Sequence, residues 1–371
     1  MKKRITVSVI SELTTDQRVI RICNTLQQMG FIVHVIAREP NNSLPLDTYN
    51  FSAKRIKCWF SKGFLLYAEF NLRLFFKLLF IKTDYLLAND LDTLVPNYMV
   101  SRLRSKSIFY DSHEYFTGVP ELQNAPFKKK VWKFFENFIF PKLPVVYTVN
   151  ESIKKIYQNE YGNKNISVIR NVPDDIVFTP IPKPEHWAGK KIMLMQGIGI
   201  HAGRGALDLI EMMRYLPRDY RLVFIGGGLL WNNLQQVVKN TGLENRVEMI
   251  AKVPPPLLRA YTSLADLGFS LDKPVSVNYE FSLPNKIFDY IHGGIPVAAS
   301  PVVEVKKIIE QYGCGFCFSS NEPKLMAEEV KELMLDENRY KQLKQNAVKA
   351  AAVLNWKNEQ EELIKIYRSF L

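Results

Sequence analysis

The chain has 371 residues, of which 47% are hydrophobic, 12% aromatic and 23% charged. That is enough apolar mass for two cores of ordinary domain size, and too little charge for a disordered chain. The formal net charge of +12 is uneven: residues 1–178 carry 25 Lys+Arg against 16 Asp+Glu, the remainder 24 against 21. A basic first half suggests a polyanionic partner: nucleic acid, an anionic membrane surface or a phosphorylated substrate.

The start, "MKKRITVSVISEL", is basic then apolar. Ser8 and Ser11 interrupt the apolar run, so it reads as a first strand and not a secretory signal. The chain has four cysteines. So few, with no signal, fit a reducing cytosol. The next segment carries Val19, Ile22, Cys23 and Leu26 at helical spacing. Thr14 and Gln17 offer a capping box at its start, and Asp16 suits the positive end of its dipole. Arg18 lies at the edge expected to face a ligand. "FIVHVIAR" follows as a second strand.

Residues 64–81, "FLLYAEFNLRLFFKLLFI", are long and apolar. Glu69, Asn71, Arg73 and Lys77 interrupt them, and about 20 clean apolar residues are needed to span a bilayer. The favoured reading is a buried helix, with an interfacial helix second. "YLLAND", "SIFYDSHE" and "PVVYTVNE" are further strands. Each ends in a polar cluster: Asn89-Asp90, Asp111 to Glu114, and Asn150-Glu151. Strands that end in polar residues and lead into helices are the pattern of a doubly wound parallel sheet, whose ligands bind beyond the carboxyl ends. Asn150 and Glu151 are equally well read as a helix cap or as acceptor contacts. Between these strands, residues 127–142 interleave Lys128, Lys129, Lys130 and Lys133 with Trp132, Phe134, Phe135 and Phe138. That mix suits a membrane headgroup layer as well as it suits a solvated face.

Residues 179–190 are proline-rich and read as a linker. Alternation restarts with "KIMLMQG", "RLVFIGGG", "VEMIAKV", "DLGFSL" and "IPVAAS". The expectation is therefore an α/β protein of two Rossmann-like domains facing across a cleft: residues 1–178, then 191–355. A final helix, 356–371, is placed to cross back to the first domain. Gly197, Gly199 and Gly203 follow a strand as G-x-G-x-x-x-G, one residue longer than a dinucleotide fingerprint. The next strand ends in Gly226-Gly227-Gly228, where an acid would hold ribose. NAD is disfavoured. The better reading is a turn that lets backbone approach phosphate, with Arg204 and a helix N-terminus supplying positive charge. "CGFC" (Cys314, Cys317) reads as two small apolar residues in a strand, with no second ligand pair nearby for zinc.

"NYEFSLPNKIFDYIHGGIPVAAS" resembles the donor-site segment of family 4 glycosyltransferases with the GT-B fold. "TTDQRVIRICNTLQQMGFIVHVI", "NDLDTLVP", "YDSHEYFTGVPEL", "ISVIRNVP" and "LMQGIGIHAGRGALDLI" resemble its other segments in order. The resemblance covers nearly the whole chain. It implies a first domain that binds the acceptor and a second that binds a nucleotide-diphosphate sugar. It also implies a retained, α-glycosidic product, and neither cofactor nor obligatory metal. Arg204, with Gly203, Asn285 and Lys286, would bind the diphosphate. Asp289 would face the ribose and Glu280 the donor sugar, while Lys252 and Val253 would touch the base. Eight residues before Asp289 the family has its first acid. This chain has Phe281 there, with Glu280 one position off register. Where the family has a second arginine, this chain has Ile198. His113 matches a cleft histidine near the transferred sugar. Asp111 and Glu114 would orient it, take a proton or cap the next helix. Asp16, Arg18, Asn150 and Glu151 would line the acceptor side. Asp90-x-Asp92 reads as helix cap or acceptor contact, not a metal site.

The expected function is a glycosyltransferase acting on a glycan or lipid-linked acceptor in cell-surface polysaccharide or glycoconjugate synthesis. It would be cytoplasmic and associated with the inner membrane face through residues 127–142. A sugar-nucleotide epimerase on the same fold and a catalytically silent partner subunit are the alternatives. Nucleic acid is disfavoured because no stacking platform or recognition helix is present.

Overall fold

A computed structural model describes residues 2–371 except 42, 47, 48, 163, 164, 176 and 177. The chain divides into two compact units, Met1–Asn171 with Lys357–Leu371, and Val172–Trp356.

The first unit holds β1 (Arg4–Val9), β2 (Ile32–Glu39), β3 (Ser52–Lys57), β4 (Tyr85–Asn89), β5 (Ser107–Ser112), β6 (Val145–Thr148) and β7 (Ile166–Val168). They form one parallel sheet in the order β3-β2-β1-β4-β5-β6-β7. Strand order reverses between β1 and β4, so the helices that follow these two strands leave on opposite faces. The crevice this opens at their carboxyl ends is where such sheets bind ligands. Strands β3 and β7 are not in the sequence reading. "SAKRIK" lacks an apolar run because only Ile56 is buried, and β7 is three residues long.

The helix Gln17–Gln28 starts differently from the expected capping box. A short 3-10 turn, Leu13–Thr15, occupies the residues before it. Asp16 becomes the cap, accepting from the Val19 amide at 3.1 Å. The apolar segment after β3 is a helix, Gly63–Phe80, but it is not buried. Only Leu66, Phe70, Leu74 and Leu78 reach the core, while Phe64, Leu65, Leu72, Phe76 and Phe80 are exposed. The helix Pro126–Ile139 buries only Glu136 and Ile139. Its Lys133 turns inward, to Glu136 at 2.8 Å, Glu160 at 2.6 Å and Tyr161 at 2.9 Å. Lys128, Lys129 and Lys130 are left as its outward-facing cations, so the basic face is narrower than the sequence suggests.

Residues 357–371 complete this unit. Tyr367 is buried and stacks on Phe109 of β5, with centroids 4.4 Å apart. Glu359 takes the Arg170 guanidinium at 2.8 Å.

The second unit holds β8 (Lys191–Gly197), β9 (Tyr220–Gly226), β10 (Val247–Ala251), β11 (Leu267–Ser270), β12 (Val297–Ala299) and β13 (Gly315–Cys317). Their order is β10-β9-β8-β11-β12-β13, again all parallel, with the reversal between β8 and β11. Five successive residues of β8 are buried, as in a sheet covered on both faces. The stretch read as a linker packs here: Trp187 is buried and donates its indole N–H to Glu248 at 2.7 Å. Cys317 lies in β13 and Cys314 just before it. Both thiols are free, and burial pushes them up to about 11 and about 12 respectively, so both stay protonated.

Candidate active site

In the first unit the polar groups gather at the strand reversal, on the carboxyl ends of β4 and β5. The ladder sets Asn89 beside Asp111, and the Asp90 amide donates to the Asp111 carbonyl at 2.9 Å. Asp90 has φ 58° and ψ 168°, a region that non-glycine residues occupy at a cost. It stands at the cap position of the helix Leu91–Leu103, yet its side chain makes no capping bond. Instead it accepts from the His113 amide at 2.8 Å and faces His113 Nδ1 at 3.3 Å. The reading of Asp90 as a helix cap is thus corrected. The strained backbone turns its carboxylate to the histidine.

The other ring nitrogen, Nε2, lies 3.1 Å from Asp111 Oδ2. Carboxylates only accept, so with both acids ionised the ring carries a proton on each nitrogen and a positive charge. Burial opposes that charge, but Asp90 and Asp111 together raise His113 to about 10, while burial also raises Asp90 above its ordinary value against the pull of His113. Asp111 is fully buried and forked by Arg18: Nε at 3.0 Å to Oδ2 and Nη2 at 2.7 Å to Oδ1. The third Arg18 nitrogen, Nη1, donates to the Ile169 carbonyl at 2.7 Å. Burial opposes ionisation of Asp111, but Arg18 and His113 hold it below the usual carboxylate range. Burial pushes Asp92, next to this group, well above it.

The structure therefore brings His113, Asp111 and Arg18 into one network, with Asp90 as a fourth member. Asp111 orients the histidine. Glu114 is exposed, and its carbonyl accepts from Ser112 Oγ at 2.7 Å. Asn150 is buried and caps the helix Glu151–Tyr161 through the Ile153 amide at 2.9 Å, while Glu151 pairs with Lys154 at 3.3 Å. Of the two readings of Asn150 and Glu151, these bonds are those of the helix end.

The His113 charge carries a sign that can be measured. Its folded value lies above the unfolded one near 6.5, so its stabilisation is complete below pH 6.5. It is lost as pH rises from there through about 10. The urea midpoint of the wild type is expected to fall over that range relative to His113→Gln. Parallel pH profiles for the two proteins would contradict a charged histidine.

In the second unit the groups again sit at the reversal, after β8 and β11. The β8 loop ends in Gly203-Arg204-Gly205. Gly205 has φ +75°, and a Cβ on it would lie 2.3 Å from Leu271 Cβ, so only glycine lets this loop close on the end of β11. Arg204 Nη1 lies 3.0 Å from Asp272 Oδ2, and its guanidinium stacks over the Tyr279 ring at 4.8 Å. Asp272 is fully buried, accepts from Ser282 Oγ at 3.2 Å, and has Lys286 Nζ 3.9 Å away. Burial pulls Lys286 below its ordinary range, with Asp272 opposing and Arg204 assisting. Two cations thus share one buried carboxylate, and the Arg204 Nε is buried with no partner. Such a cluster has spare donors for an anion.

Asp289 belongs to a neighbouring group: it accepts from Gln196 Nε2 at 3.1 Å and lies 3.8 Å from Arg259. Glu280 and Asn285 are exposed, at the end of the helix Val277–Glu280 and the start of Asn285–His292. Lys252 is exposed and Val253 half-buried in the turn after β10. Sequence reasoning missed Asp272, Gln196 and Arg259. Asp272 carried the available signal, an acid two residues beyond an apolar strand. Among the described residues no three His, Cys, Asp or Glu side chains converge as metal ligands.

Two parallel Rossmann-ordered sheets, each with a charged cluster at its reversal, define a GT-B protein. The profile described as Glycosyltransferase Family 4 matches residues 16–175, and that of Glycosyl transferases group 1 matches residues 181–350. The chain belongs to the family 4 glycosyltransferases. Among solved structures it resembles sucrose-phosphate synthase from Thermosynechococcus elongatus (TM-score 0.80, 15% identity, covering 100% of this chain and 99% of that one). It also resembles HepE of Anabaena in complex with UDP and glucose (0.75, 15%, 99% and 100%). A third is a Listeria monocytogenes protein assigned as a UDP-N-acetylglucosamine 2-epimerase (0.70, 13%, 100% and 97%). At such identity the likeness is one of fold. No curated protein sequence matches.

Proposed function

We propose that this glycosyltransferase moves a sugar, with retention, from a nucleotide-diphosphate sugar held by the second unit to a hydroxyl of a glycan or lipid-linked acceptor held by the first. It works at the cytoplasmic face of a membrane, in cell-surface polysaccharide or glycoconjugate synthesis. The observation that carries the reading is the Arg204–Asp272–Lys286 cluster beside a glycine turn. Breaking the sugar–phosphate bond builds negative charge on the leaving diphosphate, and cations fixed in advance by a buried acid stabilise it. That Anabaena HepE was crystallised with UDP supports a uridine donor as the first to try. Asp289 serves the ribose, Glu280 the sugar, and Lys252 with Val253 the base. Asp90 and His113 meet the acceptor or the transferred sugar, and Asp111 and Arg18 hold them in place.

The test follows nucleoside diphosphate release from a panel of sugar nucleotides, with and without membrane lipid extract. Release that requires lipid supports the proposal. Interconversion of free sugar nucleotides would favour the epimerase chemistry named for the Listeria protein, and turnover of no donor a silent subunit. Because Arg204 and Lys286 supply the charge, EDTA is expected to leave the rate unchanged. Loss of activity in EDTA that manganese restores would overturn the metal-independent mechanism.

A further inference from the structure

A cavity of about 850 Å³ opens beside the His113 network, and every residue bounding it belongs to the first unit. That volume is within the range of small-molecule sites. The cavity lining combines acids and a histidine, Asp16, Asp90, Asp92 and His113, with a large aromatic wall, Phe64, Tyr67, Phe116, Phe127, Trp132 and Phe135. Phe64 and Tyr67 of this wall come from the helix Gly63–Phe80, Phe127, Trp132 and Phe135 from the helix Pro126–Ile139, and Phe116 from the short turn Phe116–Gly118; both helices also leave apolar side chains uncovered. Phe64 and Phe127 belong to both cavity and outer surface, being 66% and 78% exposed. Leu65, Phe134 and Phe138 on the same two helices are exposed as well, and the second helix also carries Lys128, Lys129 and Lys130.

A free glycan stacks on one or two aromatic rings and leaves the exposed Phe64 and Phe127 end of this wall uncovered. The carboxyl groups of Asp90 and Asp92 hydrogen-bond neutral hydroxyls. The basic–aromatic rim suits an anionic bilayer surface. We propose that the cavity seats a membrane glycolipid acceptor, its sugar hydroxyls against Asp90 and Asp92 and the first segment of its alkyl or prenyl chain along the aromatic wall. The chain then passes over Phe64 and Phe127 into the bilayer without crossing water. This rests on the transferase reading for the identity of the ligand as acceptor.

Trp132 in the wall supplies the probe. The full-length protein is titrated with octyl glucoside below its micelle concentration, and the emission of Trp132→Phe is subtracted. A saturable Trp132 response is expected for octyl glucoside and not for glucose at the same concentration. The variant F64S/F127S changes exposed residues and is expected to unfold at the wild-type temperature. It should bind at least tenfold more weakly. UDP binding by the second unit, measured separately, should be unaltered in it. No saturable response, an equal response in F64S/F127S, or equal binding of octanol would overturn the proposal. Failure of UDP and every other nucleoside diphosphate to bind would count against the transferase reading alone, because the octyl glucoside titration needs no donor.

Discussion

Arg204→Ala is expected to lower kcat/KM by about 10²–10³-fold while the protein stays folded. Arg204 is placed by the Gly203–Gly205 turn, oriented by Asp272 and supported by the Tyr279 ring. Each contact fixes the guanidinium before a donor arrives, which makes it effective when charge develops on the leaving group. Removing it does not orphan Asp272, which keeps Ser282 and Lys286. The stability cost should therefore be near that of one hydrogen bond, about 1 kcal/mol. Arg204→Lys keeps the charge but loses the planar fork, and should recover only part of the rate. Steady-state kinetics with urea unfolding of the same samples separates these effects. Near-normal turnover in the alanine variant would remove Arg204 from the mechanism.

Both sheets and their order of chemistry were legible because buried parallel strands are nearly all apolar and end in polar residues. β1, β4, β5 and β8 announce themselves in that way, and β9 by its apolar run before three glycines. β3 does not, because an edge strand carrying Lys54, Arg55 and Lys57 has no apolar run. The site was legible where residue type and position act locally, as with Arg204 after a glycine loop or His113 after β5. It was not legible where function depends on who faces whom. Arg18 lies 93 residues from Asp111, and Asp272 is joined to Arg204 across 68. The 63–80 helix was misjudged for the same reason. Its composition suggests burial, but Phe64, Phe76 and Phe80 are exposed among the described residues.

Arg18→Ala should destabilise the first unit by about 3–5 kcal/mol, because it strips the partner from a buried carboxylate. Arg18 is 2% exposed and Asp111 0%, so water does not screen the loss. Three of the guanidinium bonds go to Asp111 and one to the Ile169 carbonyl, tying the helix Gln17–Gln28 to the end of β5 and the exit of β7. Without Arg18, Asp111 keeps the His113 contact and loses the largest influence opposing burial, so its folded value is expected to rise. Protonation then relieves the buried charge, so the loss should be smaller at pH 5 than at pH 8. The wild type, whose Asp111 is held low, behaves in the opposite sense: the stability from this carboxylate is present at neutral pH and fades as pH falls through its depressed value. Asp111→Asn should cost less than Arg18→Ala, since a buried guanidinium keeps the Ile169 carbonyl and the amide oxygen. In the double variant the two losses should fall short of adding, by more than about 1 kcal/mol. Urea unfolding of the four proteins at both pH values measures this. A loss below about 1 kcal/mol in Arg18→Ala, in the range of exposed pairs, would show that the pair does not hold the His113 end of the sheet in place.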